Sequence, residues 1–365
     1  MFISRKFVLF LVLIIVSIFA SWQGVSASNA FLWNRYSDDT VSVRCIAAPS
    51  QNNSQSPSLS SGVPIGFPES NAPPVQYSQS ISDLKSQWAL ERIHALPATW
   101  KIDGESTVLV AVLDTGIDEN HEDLAGRVVA EIDLSESPAV TDIYGHGTPI
   151  AGIIAADAGN GLGIMGVAPD SLLVNVKVAD DNGRCQLSKL AAGIIWAVDF
   201  GAKVINISIE MKESTPELQQ AVDYAWNKGA LIIAAAGNDG GSLSVYPAAC
   251  DNCLAVTAIQ ENGSLIPLAN YGDWVDVAAP GMDIYSTLPD NKYGYKAGTS
   301  FATAYVSGLA AVLFSLATDT NGDGKLNDEV CQAIENGCES INIAGTGYGL
   351  IDVAASVAIL VSDSA

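Results

Sequence analysis

Three residues far apart in the chain, Asp114, His146 and Ser300, have the side chains that nucleophilic acyl transfer needs. A serine hydroxyl is a weak nucleophile at neutral pH and needs a base with a pKa near ~7 within hydrogen-bond reach, which imidazole provides. The imidazole in turn needs a carboxylate to fix its tautomer and stabilise its charged form. The oxyanion formed on attack needs donors already in place. Ser300 precedes a helical pattern, so its own N–H sits where a helix dipole favours negative charge. The side-chain amide of Asn238 is the second candidate donor. Taken singly, each residue has a plainer reading: an Asp after a strand is a turn or cap residue, and a Ser before a helix is an N-cap. It is the set, in the order Asp, His, Ser, that points to catalysis.

The elements around these residues place them together. Val108 to Leu113 is a continuous apolar run of strand length, and Ser171 to Val178, Lys203 to Ile209 and Leu231 to Ala236 are further strands. Leu187 to Phe200 reads as a helix. So does Thr215 to Lys228, with Thr215 as N-cap, Pro216 in the first turn and Gly229 at its stop. Strands apolar on both faces, alternating with helices, predict a doubly wound α/β fold: a mostly parallel sheet with helices on both faces. Ligand sites in such folds lie beyond the carboxyl ends of the strands. Asp114 and Asn238 stand at such ends, and His146 and Ser300 each open a predicted helix.

Asp114-Thr115-Gly116-Ile117, Gly145-His146-Gly147-Thr148, Ala235-Ala236-Gly237-Asn238 and Gly298-Thr299-Ser300-Phe301-Ala302-Thr303 resemble the signature blocks of the subtilisin family, in that family's order. Gly166-Val167-Ala168-Pro169, Ala279-Pro280-Gly281 and Gly345-Thr346-Gly347-Tyr348-Gly349 extend the likeness over roughly residues 83 to 360. The resemblance implies a subtilisin-like fold and a serine endopeptidase acting on polypeptides. In it Asp114 orients His146, His146 serves as base and then acid, Ser300 is the nucleophile, and Asn238 with the Ser300 N–H holds the oxyanion. Ser208 and Ile209 would pair with an extended substrate, and Ala235 to Gly237 would wall the first specificity pocket. His121 is similar to a family loop residue without a catalytic role, and His94 is read as structural.

The chain departs from the family pattern at Ala304 and Pro149, where the family usually has Pro and often a second His, and at Glu210 and Met211, where the substrate strand usually continues in glycines. The charge of Glu210 predicts a preference for basic or polar side chains nearby. Two loops are candidate calcium sites. Asp123 with the Gly159–Ile164 loop, Asn160 included, resembles the family's calcium loop. Asp319-Thr320-Asn321-Gly322-Asp323-Gly324-Lys325 carries oxygen ligands at alternate positions and Gly at the sixth, as EF-hand loops do. Asn327 extends it, and the twelfth position is Val330 rather than Glu, so Asp328 or Glu329 would have to supply the missing ligand.

Arg5 and Lys6, the apolar run Phe7 to Val16, and small residues around Ala27 and Ala30 read as a secretory signal peptide over 1–30. Residues 31–82 read as a Ser/Pro-rich linker or atypical pro-segment, followed by the peptidase domain at 83–362. No later segment is expected to span a membrane. A formal net charge of −23 in 365 residues argues against nucleic-acid or anionic-membrane partners. A secreted monomer is expected. Export permits disulfides among the six cysteines, with pairing left open and free buried thiols an alternative. The rival readings are an inactive subtilisin-fold binding protein, which would lack a triad member, and an α/β-hydrolase esterase, which would need Asp and His after its Ser.

Overall fold

Val110, Ala111, Val112 and Leu113 are all inaccessible to solvent, so this strand has to be covered on both sides. The structure, a computed structural model, describes residues 42–45, 87–95 and 107–363. All of them belong to one compact unit, Ser42–Ala365. The elements in chain order are β1 (Ser42–Cys45), α1 (Trp88–Arg92), β2 (Leu109–Asp114), β3 (Val128–Asp133), α2 (Gly147–Ala155), β4 (Leu172–Lys177), α3 (Leu187–Phe200), β5 (Val204–Ile207) and α4 (Pro216–Asn227). They continue with β6 (Leu231–Ala235), β7 (Cys253–Ile259), β8 (Val277–Pro280), β9 (Ile284–Leu288), β10 (Lys292–Lys296), α5 (Thr299–Leu316), α6 (Asn327–Gly337) and α7 (Val353–Asp363).

Eight strands form one sheet in the order β1-β3-β4-β2-β5-β6-β7-β8, and β9 and β10 form a separate antiparallel pair. Every ladder from β3 to β8 is parallel. The expected doubly wound α/β architecture is the observed one. One core, on the side of α2 and α5, packs Ile150 and Ile154 with Tyr305 and Leu309. The other, on the side of α3 and α4, packs Leu190 and Ile194 with Leu218 and Val222. The predicted caps also hold: Thr215 Oγ1 accepts the Leu218 N–H at 3.3 Å, with Pro216 in the first turn.

Two features differ from the sequence reading. The edge strand β1 lies within the stretch read as linker, and it pairs antiparallel with β3. The remaining residues of that stretch, the next four up to 86, residues 96–106 and the signal-peptide region fall outside the described residues. The expectation that nothing after the leader is apolar enough to span a membrane also needs correction. The α5 helix, Thr299–Leu316, has the length and hydropathy of a membrane span, but 89% of it is buried inside the fold. Its small residues let it lie against β5, β6, β7 and β8 as the central core helix.

Candidate active site

Asp114 is the last residue of β2 and is 1% exposed. Its Oδ1 lies 2.8 Å and its Oδ2 3.0 Å from His146 Nδ1, and Oδ1 also accepts the Thr115 N–H at 2.7 Å. His146 immediately precedes α2. A Cβ at Gly147 would overlap the Gly116 carbonyl oxygen, so glycine is what lets the helix start this close to the β2 turn. Buried Lys177, paired with Asp114 across the β2–β4 ladder, donates through Nζ to the Thr115 carbonyl and, at 2.9 Å, to Asp181 Oδ1. The turn carrying the carboxylate is thus held from below.

A residue that sequence reasoning missed completes this half of the site. Asp142 accepts Thr115 Oγ1–H at 2.7 Å, the Gly145 and His146 N–H groups at 2.7 and 3.3 Å, and both the N–H and the hydroxyl of Thr148 at 2.8 Å. It is a buried carboxylate satisfied by five donors, and it clamps the β2 turn to the start of α2. Its only signal in the sequence was a carboxylate four residues before His146. Burial of the His146 ring works against its charged form, but Asp114, with help from Asp142, outweighs both burial and Lys296, so the pKa is raised above the ordinary 6.5.

Ser300 is the second residue of α5 and is buried. The His146 ring stands beside the next residue, Phe301, with 5.7 Å between ring centroids. In this rotamer the Ser300 hydroxyl points to the Ser208 carbonyl at 3.5 Å and makes no hydrogen bond to His146. A buried polar chain lies beneath it. Ser307 Oγ donates to Asn206 Oδ1 at 2.9 Å, Asn206 Nδ2 donates to Ser208 Oγ at 3.1 Å, and Ser208 Oγ donates to the Ser300 carbonyl at 3.2 Å. Ser208, expected on the substrate strand, therefore also ties the end of β5 to α5. Asn206 and Ser307 were not singled out from sequence; the available hint was a polar residue inside the apolar run Val204-Ile205-Asn206-Ile207.

Asn238 follows β6 and faces the start of α5. Its Oδ1 accepts the Thr299 N–H at 2.9 Å and the Thr299 hydroxyl at 3.2 Å. The amide oxygen is fixed by these two donors, which leaves Nδ2 as the free donor. Gly237, at φ +92°, donates its N–H to Thr299 Oγ1 at 3.1 Å. Three strand ends and two helix starts thus bring Asp114, His146, Ser208, Asn238 and Ser300 to one rim of the sheet, as the sequence predicted.

The profile of the subtilase family matches residues 105–339. The chain belongs to the subtilase family. It is 44% identical over 252 residues to a thermophilic serine proteinase of Bacillus sp. (strain AK1), covering 68% of this chain and 61% of that protein. To thermitase of Thermoactinomyces vulgaris it is 41% identical over 261 residues, covering 71% of this chain and 91% of thermitase. Among solved structures, a protease from Pseudoalteromonas arctica PAMC 21717 matches with a TM-score of 0.68 at 28% identity, covering 76% of this chain and 97% of that one. At the two departures in the helices, Pro149 occupies the first turn of α2, and α5 runs unbroken through the buried Ala304.

The remaining histidines have structural partners. His94 Nδ1 lies 2.8 Å from Asp352 Oδ2, and His121 is held by the Lys292 carbonyl, the Asp123 N–H and the edge of the Tyr293 ring. Cys185, Cys250, Cys253, Cys331 and Cys338 are free thiols, so neither a Cys250–Cys253 nor a Cys331–Cys338 bridge is present. Burial pushes the Cys185 and Cys338 thiols up to about 12, which makes them poor nucleophiles.

Among the described residues, no three His, Cys, Asp or Glu side chains converge as a ready metal cage. Around Asp123, Oδ1 accepts Asn160 Nδ2–H at 2.8 Å and Oδ2 accepts the Ile164 N–H at 2.8 Å, while Asn160 Oδ1 accepts the Leu162 N–H. That carboxylate is satisfied by N–H donors, and the amide turns its nitrogen rather than its oxygen toward it. In the other loop, Asp319 caps Gly322 and Gly324, and Asn321 and Asp323 cap the N–H groups two residues on. Asn327 does not extend it: its amide donates to the Trp226 carbonyl instead. Glu329 Oε1 accepts both donors of Thr320, whereas Glu329 Oε2 and Asp328 Oδ1 are buried without a partner.

Proposed function

We propose that this chain is an exported serine endopeptidase that cleaves peptide bonds through an acyl-enzyme on Ser300. The observation that carries this reading is the buried Asp114–His146 pair beside the start of α5. As substrate docks along Ser208–Ile209, the Ser300 hydroxyl turns to His146 Nε2 and gives up its proton there, and Oγ attacks the scissile carbonyl. Asn238 Nδ2 and the Ser300 N–H receive the oxyanion. His146 then passes the proton to the leaving amine, and water repeats the cycle to release the acid. Asp114 keeps Nδ1 protonated so that Nε2 is free to act. Export rests on the basic Arg5 and Lys6 followed by the apolar run from Phe7.

The test is labelling of the purified protein with a fluorophosphonate, with Ser300→Ala as control. Labelling is expected in the wild type and lost in the variant; labelling that survives the substitution would refute the assignment. One observation favours a second reading, an inactive subtilisin-fold binding protein: the Ser300 hydroxyl rests on Ser208 rather than on His146. An unlabelled wild type would support that alternative.

Asn238→Leu should lower kcat by about 10²–10³ with little change in KM, the size known for the equivalent donor in subtilisin. Steady-state kinetics on one peptide checks this, and a loss below tenfold would remove Asn238 from the oxyanion site.

We also propose a structural Ca2+ in the Asp319–Glu329 loop, with oxygens from Asp319, Asn321 and Asp323 and with Glu329 in place of the missing twelfth ligand. Two buried carboxylate oxygens without donors, Glu329 Oε2 and Asp328 Oδ1, support it. Such a site stabilises by mass action, about 2.7 kcal/mol at a hundredfold excess over Kd. Melting should therefore occur several degrees higher in calcium than in chelator, and Asp319→Ala should erase the difference. Equal melting temperatures in both buffers would dismiss the site.

A further inference from the structure

Beyond Ile207 and Ala234, the last paired residues of β5 and β6, the chain runs on as Ser208-Ile209-Glu210 and as Ala235-Ala236-Gly237. Continuing the parallel register puts Glu210 opposite Gly237 across the slot where the strands part. The side chains bear this out. The space a Cβ on Gly237 would need is taken by Glu210 Oε2 and Asn270 Nδ2, with a Val245 methyl at 3.3 Å. Glu210 Oε2 accepts the Asn238 N–H at 3.0 Å, so the carboxylate reaches the backbone of the proposed oxyanion donor. Asn270 is committed elsewhere: its Nδ2 donates to the Ala236 carbonyl, and its Oδ1 accepts the Asp239 and Gly241 N–H groups.

Among the described residues, Glu210 has no cationic partner. The nearest lysine in sequence, Lys212, pairs with Asp239 at 3.1 Å. Among the described residues, of the two Glu210 oxygens only Oε2 accepts a hydrogen bond. A half-buried carboxylate with spare acceptor capacity, at the mouth of a slot walled by small residues, attracts a flexible cation and repels an anion. A substrate strand laid on Ser208–Ile209, with its scissile carbonyl at Asn238 Nδ2, turns the side chain of that residue into the slot.

We propose that Glu210 is a specificity-determining residue that selects lysine or arginine at the substrate position whose carbonyl is attacked. This rests on the endopeptidase reading of the same site. The preference for Lys over Glu at that position is expected to be about 10²-fold in kcat/KM, the scale on which one well-placed pocket contact discriminates. The charge, not the bulk, carries the effect. Glu210→Gln keeps an oxygen for the Asn238 N–H and loses only the charge.

The experiment compares peptides identical except for Lys, Leu or Glu at that position, in the wild type and Glu210→Gln. The expected result is a Lys-to-Glu ratio of about 10² in the wild type that falls at least tenfold in Glu210→Gln and shrinks with added salt. The same ratio in both proteins would overturn the proposal. So would a Glu210→Gln protein that cleaves all three peptides faster without a change in ratio, because the side chain would then be a plug. The same peptides are titrated into Ser300→Ala and Ser300→Ala/Glu210→Gln proteins by calorimetry. Binding selectivity for Lys that survives the loss of Glu210's charge refutes the role even if no peptide is cleaved. Fluorophosphonate labelling of the wild type separately decides whether the site is a hydrolase at all.

Discussion

Ser300→Ala is expected to lower kcat by about 10⁶-fold while leaving KM within a few-fold, the size of loss that removal of a triad serine produces in subtilisin. The substitution is isolated from the fold. Ser300 is held in α5 through its backbone carbonyl, which accepts Ser208 Oγ–H, while its own hydroxyl makes only a 3.5 Å contact. The loss should therefore appear in turnover and not in melting temperature. Ser300→Ala/His146→Ala should be little worse than Ser300→Ala, because nucleophile and base act as one unit. A residual kcat within tenfold of wild type, or a double variant far below the single one, would disprove the triad. Single-turnover and steady-state assays on one fluorogenic peptide suffice.

Asp114→Asn should reduce kcat by about 10⁴-fold at neutral pH, chiefly by letting His146 adopt the wrong tautomer. It should also move the pH profile in a stated direction. Burial lowers the His146 pKa, but Asp114 and Asp142 overcome it and leave the net value above 6.5. A base must be neutral to act, so wild-type kcat/KM should rise with pH through a midpoint above 6.5. With the Asp114 charge removed, burial and Lys296 remain and Asp142 alone opposes them. The acid limb should then shift to lower pH. An unshifted or upward-shifted limb in Asp114→Asn would contradict the coupling. The same sign governs stability: a raised histidine pKa favours the folded state at low pH, and that contribution disappears as pH climbs through the folded-state value.

The positions of Asp114, His146 and Ser300 at one rim were legible because each sits where a periodic element stops or starts. An apolar strand run that ends in Asp-Thr-Gly, and two helix patterns that open on His and Ser, give positions as well as types. Asp142 was not legible. A lone Asp in Thr141-Asp142-Ile143-Tyr144 looks like any turn residue, and only the fold shows five donors converging on it. Asn206 and Ser307 were hidden for a similar reason. They lie 101 residues apart, and nothing local requires a polar residue on β5 to meet one on α5.

Glu210 shows the division most clearly. The sequence announced a carboxylate where the family usually has glycine. It did not reveal that the missing side chain of Gly237, across the strand gap, is what makes room for it. The two candidate calcium loops divide in the same way: oxygen-rich spacing marked both, but only the structure shows that Asp328 and Glu329, beside the second, carry buried oxygens without a partner.

By itself, the sequence determined the alternation of strand and helix, the order of the elements that carry the chemistry, and the rim of the sheet to which they point. These follow from periodicity and from caps and glycines acting within a few residues. The tertiary structure alone decided which polar groups meet across long separations: Asp142 with the start of α2, Asn206 with Ser307, Glu210 with Gly237 and Asn238. Burial leaves a polar group no water to turn to, so its partner is set by whichever donor or acceptor the packed elements bring beside it. Local sequence does not encode that.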